Sequence, residues 1–172
     1  MTVQILSPGE DLQGLDLTGL CDHLEDTHHA YIRGQGPVIL EQLKRLSKQD
    51  QQWAPLMELF CGLYSDLLMH LQKEEQVLFP YCRQLLETQE PVEMHCGTVA
   101  HPIRVMVYEH DSAEQMLGLM RKLTQDYVQT ENQALMQALQ AFDADLCQHM
   151  YKENEILFPR ALERERFVNA AE

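Results

Sequence analysis

The stretch His70-Leu-Gln-Lys-Glu74-Glu-Gln-Val-Leu-Phe-Pro80 returns later in the chain as His149-Met-Tyr-Lys-Glu153-Asn-Glu-Ile-Leu-Phe-Pro159. Each copy reads His, three residues, Glu, then an apolar run ending Leu-Phe-Pro, and each is preceded four residues earlier by an aspartate, Asp66 or Asp145. On a helix, positions i−4, i and i+4 lie along one face, so each copy aims two carboxylates and an imidazole at the same neighbour. Imidazole beside carboxylate is a ligand set suited to a first-row transition metal.

The sequence around the repeat is helical throughout. Apolar residues recur at helical spacing from Leu20 to Leu46, with Gly34-Gln-Gly-Pro37 predicting a kink or short break, because Pro37 removes a backbone bond and crowds the carbonyl of Arg33. Asp16 or Thr18 can cap this helix. Residues 47–55 form a polar turn that places Pro55 at the start of a second helix, which runs from Leu56 to about Leu86 and should bend at Pro80. Residues 88–100 read as irregular. A third helix opens at Pro102, residues 130–133 supply a turn and cap, and a fourth helix carries Leu135 to Leu157. Nothing alternates with the period of two expected of a half-buried strand. The fold class is all-α, an up-down-up-down four-helix bundle over residues 19–165, with a lead-in at 1–18 and a tail at 166–172.

Bulk properties narrow the function. A chain of 172 residues forms one domain with a sizeable core, and a formal charge of −14 argues against nucleic acid or an anionic membrane as partner. The five cysteines show no C-x-x-C spacing, and all but Cys96 fall in apolar-periodic segments, as reduced cysteines of a cytoplasmic protein do. Cys96, beside His95, is the one candidate for a reactive thiol. The N-terminus lacks the basic and apolar regions of a signal peptide, and no stretch is apolar enough to span a bilayer. The expected location is the cytoplasm.

The two halves match beyond the repeat. His29 on the first helix and His110 on the third each stand well ahead of a His-x-x-x-Glu, so two similar helical hairpins could pack about a pseudo-twofold axis. Four imidazoles, His29, His70, His110 and His149, would then face two carboxylates, Glu74 and Glu153, each able to bridge two metal ions. With an oxo or hydroxo bridge, each metal gains two nitrogens and three oxygens and keeps a sixth position open, an arrangement suited to two irons. A structural zinc site would be closed and richer in sulfur.

A single histidine on an apolar face is ordinarily a hydrogen-bonded core residue, and a single His-x-x-x-Glu is commonly a surface pair; six matching residues in symmetric repetition argue against both. The first helix leaves one choice open. His28 and His29 are adjacent, so only one points squarely inward, and periodicity does not select between them. Asp66, Asp145 and Glu109 could orient ligand imidazoles, line a route to the metals or simply be solvated. His23, His95 and His101 read as surface residues and the tyrosines as packing residues.

The sequence resembles the hemerythrin-like di-iron domain of the repair-of-iron-centres family, the YtfE/ScdA/DnrN group. The resemblance rests on Asp22-His-Leu, His28-His29-Ala, Arg33 and Pro37, then His70 and Lys73-Glu-Glu-Gln-Val-Leu-Phe-Pro80. It continues through Pro102-Ile-Arg-Val-Met, Glu109-His-Asp111, His149, Glu153-Asn154 and Leu157-Phe-Pro-Arg-Ala-Leu162, covering about residues 20–163. It implies iron ligands at His29, His70, Glu74, His110, His149 and Glu153, with the spacing to Arg33 and Pro37 selecting His29 over His28. Residues 1–19 show no counterpart of the family's small cysteine-bearing N-terminal domain, and Asp50 stands about where the family has a further histidine. The resemblance implies a protein of the nitrosative and oxidative stress response that supplies iron to damaged iron–sulfur proteins, or binds or reduces nitric oxide. The alternatives are a carrier or sensor of dioxygen or nitric oxide without turnover, and a metal-free helical interaction domain.

Overall fold

The computed structural model describes residues 12–87, 97–128 and 132–170. Seven α-helices account for most of them: α1 (Leu17–Leu24), α2 (Ala30–Gln49), α3 (Ala54–Lys73), α4 (Phe79–Glu87), α5 (Ala100–Thr124), α6 (Gln133–Lys152) and α7 (Phe158–Asn169). No strand occurs among the described residues. His95 and Cys96 lie outside them, as do most of the 88–100 connection and part of the 130–133 turn.

Seven helices make four rods, because three of the junctions are single π turns, at Glu25–His29, Glu74–Leu78 and Glu153–Leu157. Their backbone N–H groups reach back five residues: Ala30 to Glu25, Phe79 to Glu74 and Phe158 to Glu153. The rods are therefore α1–α2, α3–α4, α5 alone and α6–α7. Around the ring α2 packs on α3, α3 on α5, α5 on α6 and α6 on α2, giving the expected four-helix bundle.

Local chemistry sets the ends. Asp16, in extended conformation, accepts the Gly19 N–H at 2.8 Å and starts the first rod at Leu17, three residues before the apolar pattern predicts. A short 3₁₀ turn, Gln51–Trp53, reverses the chain into α3, with Pro55 in its first turn as expected. The last rod runs to Asn169 with Val168 buried.

The break predicted at Pro37 does not occur; α2 continues through it. Pro37 and Arg33 are both exposed, so the Arg33 carbonyl left without a helix donor can turn to water. Gly36 is there for packing instead: a Cβ at this position would fall 2.1 Å from the ring of Tyr64 on α3. Pro80 and Pro159 are the second residues of α4 and α7, where the ladder has just shifted register, so the missing N–H costs little.

The core is split. One apolar cluster runs through α2, α3, α5 and α6 around Ile39, Phe60, Leu117 and Phe142. A second lies toward the other end, around Leu20, Leu78, Phe79, Ile103 and Phe158. Between them is a layer of buried polar residues at the level of the π turns. Among the described residues no helix is long and apolar enough to cross a membrane.

Candidate metal centre

The polar layer contains the residues expected from the sequence. His29, Glu74, His149 and Glu153 are wholly buried, and His70 and His110 are only 4% exposed. Their donor atoms form two quartets, His29–Glu74–His149–Glu153 and His70–Glu74–His110–Glu153, each gathered within 4.8 Å. Both carboxylates belong to both quartets, and each quartet takes one histidine from each half of the chain.

All four histidines turn Nε2 inward. Nε2 of His70 lies 3.2 Å from Glu74, those of His110 and His149 both lie 3.1 Å from Glu153, and that of His29 lies 3.5 Å from Glu74. No oxygen of Glu74 or Glu153 makes a hydrogen bond, nor do Nε2 of His29 and His149. A buried polar atom without a partner costs about 1–3 kcal/mol. Six such atoms pointing at one another are a poor core and a good metal site: nitrogen and carboxylate oxygen converge with their lone pairs unspent.

The charges say the same. Burial, then the nearby His149, lowers the pKa of His29 to about 4, which keeps its imidazole neutral and able to ligate. Burial opposes charge on His70, yet Glu74 and Glu153 overcome it and raise this pKa to about 9. Burial and repulsion from Glu153 push the Glu74 carboxyl up; Glu153, equally buried, is held low by His149 and His110. The repulsion between two buried carboxylates, which pushes Glu74 up, is what a pair of cations would relieve.

Three of the four histidines are fastened from behind. Nδ1 of His29 bonds Glu75 at 2.7 Å, that of His70 bonds Glu109 at 2.8 Å, and that of His110 faces Asn154 Oδ1 at 3.0 Å. Such bonds fix the tautomer that leaves Nε2 free for metal. Glu75 is itself gripped by both terminal guanidinium nitrogens of Arg33, at 2.6 and 2.9 Å, and Glu109 by Lys73. These contacts hold both carboxyls below the usual range against the effect of burial.

The phenylalanine of each Leu-Phe-Pro stacks on the lone histidine of its own half, Phe79 on His29 at 5.5 Å and Phe158 on His110 at 5.9 Å. Those two rings close the layer toward the second apolar cluster. On the opposite flank a cavity of about 140 Å³ reaches His70 and His110, walled by Asp66, Met69, Lys73, Tyr108 and Glu109.

The expectation that only one of His28 and His29 turns inward does not hold. Both are buried, because the π turn that contains them alters the angular step between neighbours. His29 joins a quartet; His28 stacks on His149 with ring centres 5.6 Å apart and bonds Asp145 through Nδ1 at 2.9 Å. Asp145 thus holds a histidine outside the quartets, while Asp66 is exposed at the cavity. His101 is exposed, and His23 is half-buried with Nε2 at 2.9 Å from Lys152. Sequence reading passed over Glu75, Asn154 and Lys73. The signal for the first two was present, since Glu75 and Asn154 occupy the same place in the two copies of the repeat.

The match to known proteins agrees with this geometry. Residues 22–161 fit the model of the hemerythrin HHE cation binding domain. The chain belongs to the hemerythrin family. Within that family it is similar to the iron–sulfur cluster repair protein YtfE of Dickeya chrysanthemi (strain Ech1591), at 31% identity over 168 residues, 92% of this chain and 72% of that protein. It is likewise 31% identical over 165 residues to the YtfE protein of Yersinia pseudotuberculosis serotype O:1b (strain IP 31758), covering 91% of this chain and 71% of the relative. The hemerythrin fold and a His/Glu cluster compatible with iron accord with the expectation from sequence.

Proposed function

We propose that this hemerythrin domain holds two irons, one in each quartet, and serves the repair of iron–sulfur clusters by supplying iron to the damaged proteins. The observation that carries the reading is the sharing of Glu74 and Glu153 by both quartets, which fits two metals bridged by carboxylates and by an oxo or hydroxo group. The printed role of the YtfE relatives in iron–sulfur cluster repair supports the cellular task.

Iron bound there would supply redox chemistry and a coordination position for a small ligand such as nitric oxide. The chain's own residues do the rest. Glu74 and Glu153 would hold the two irons in common, and the four histidines would complete the ligand set. Glu75, Glu109 and Asn154 orient three of the imidazoles and fix their protons on Nδ1. Phe79 and Phe158 exclude water from one side, while the cavity beside His70 and His110 admits a molecule of diatomic size from the other. The four described cysteines are free thiols, as suits work in a reducing cytoplasm.

The test is anaerobic purification followed by metal analysis, then incubation with an apo iron–sulfur protein. Two irons per chain and restored cluster absorbance in the acceptor are expected; well under one iron per chain sinks the reading. The cavity favours a second reading, a carrier or sensor of nitric oxide or dioxygen. A reversible spectral change on exposure to either gas, with no iron leaving and no nitrous oxide formed, would establish that reading in place of the first.

A further inference from the structure

The two halves predict one another's contacts, and one prediction fails. Glu75 follows Glu74 and bonds His29; Asn154 follows Glu153 and faces His110. Glu109 precedes His110 and bonds Nδ1 of His70 from the other half, with Lys73 behind it. By the same symmetry the residue preceding His29 should bond Nδ1 of His149, with Lys152 behind it. That residue is His28. It lays its ring against His149 instead, and among the described residues Nδ1 of His149 has no hydrogen-bond partner. Nε2 of His28 and Oδ2 of Asp145, both buried beside it, are unpartnered as well. Lys152, buried where its counterpart Lys73 meets Glu109, approaches His23.

We propose, building on the two-metal reading above, that the two positions are unequal and that the one held by His29 and His149 is the weaker. It fills last and empties first, and so is the source of iron that can be given away. The reason is the replacement of an outer carboxylate by His28. An outer acceptor fixes a ligand imidazole and raises its basicity, and its loss lowers metal affinity by about 10–100-fold. The His70/His110 position has two outer acceptors, Glu109 and Asn154. The His29/His149 position has only Glu75. Its second histidine has no outer acceptor at Nδ1 among the described residues.

The experiment is an anaerobic equilibrium titration of the whole chain with ferrous iron against a competing chelator. Two binding steps at least tenfold apart are expected. Glu109→His, which copies the His28 arrangement into the other position, should weaken the tighter step at least tenfold and bring the two together. His28→Gln, which restores a side-chain acceptor beside His149, should tighten the weaker step alone. Two coincident steps in the unaltered chain, or a Glu109→His variant with its tighter step unchanged, overturn the ranking while leaving the two-metal reading standing. Fewer than two metals bound at saturation overturns both.

Discussion

The two halves of this hemerythrin domain carry the same three metal-directed residues, one lone histidine and one His-x-x-x-Glu, but support them differently. In the first half the lone His29 sits on a π turn, its outer acceptor is the carboxylate of Glu75, and Gly36 lets α2 press against Tyr64. In the second half His110 rides on the unbroken helix α5 and its acceptor is the neutral Asn154. The α5–α6 connection carries three successive residues with positive φ, Gln125, Asp126 and Tyr127. That strain is held by a half-buried knot around the buried Asp143. Arg121 grips both oxygens of Asp143 at 2.5 and 2.7 Å, and the Tyr127 hydroxyl donates to Asp143 at 2.6 Å. The lesson is that the quartet histidines and glutamates, and the phenylalanines stacked on two of them, keep the symmetry of the repeat, while the polar groups behind the histidines differ.

The strongest way to break the comparison is at its symmetric centre. Glu74→Leu and Glu153→Leu should each lose at least one iron per chain by metal analysis, and to a similar degree, whereas exposed His101→Ala should lose none. If one carboxylate proves dispensable, the two halves are not equivalent even at the metals. Next in size, Asp143→Ala leaves Arg121 with Glu114 alone and releases Tyr127, and should cost about 3 kcal/mol in chemical denaturation. The first half has its own bidentate pair, Arg33 on Glu75, but it lies behind His29 and not at the turn between its helices.

Glycine to alanine gives opposite signs at Gly36 and Gly118. Gly36→Ala drives a methyl group into Tyr64 and should destabilise by about 2 kcal/mol. Gly118→Ala meets open space inside α5 and should stabilise by up to about 1 kcal/mol. Thermal melts of the two variants decide the matter, and equal shifts would remove the packing difference inferred here.

The smallest effect concerns the bonds that join the halves. Glu165 accepts from the Tyr81 hydroxyl at 2.6 Å, the Thr98 hydroxyl at 2.6 Å and the Val99 N–H at 2.7 Å, at the start of α5. Although burial opposes its charge, these donors lower its pKa below the ordinary carboxylate value. Its stabilisation is therefore complete above that ordinary value and is lost as pH falls through the lowered one. Glu165→Gln should cost about 1 kcal/mol at neutral pH. The difference from the unaltered chain should shrink in acid, as denaturation at several pH values would show.

Much of this was legible beforehand because it depends on local chemistry or on repetition. Asp16 caps as an aspartate before a helix does, Pro55 falls in the first turn of α3, and the doubled His-x-x-x-Glu brings its residues to one layer. The π turns were not legible, since a His and a Glu four apart look alike whether or not the next turn is widened. The same blindness made His28 and His29 seem mutually exclusive. The outer acceptors were hidden for another reason: Glu109 reaches His70 across helices, and a charged residue beside a ligand reads equally well as solvated.

The π turns also bear on how such chains change over time. Each accommodates one residue more than a plain helix would, so the apolar stripes on either side of it are offset by one position. Deleting a single residue at Gln76 or Val77 would close the π turn into an ordinary α turn and leave Leu78, Phe79, Cys82 and Leu85 in phase with the cluster they fill. The same deletion inside α5, where no π turn can take up the change, would turn everything after it by about 100°. Aligned with an ordinary four-helix bundle, the chain would show a one-residue gap in three rods and none in the fourth.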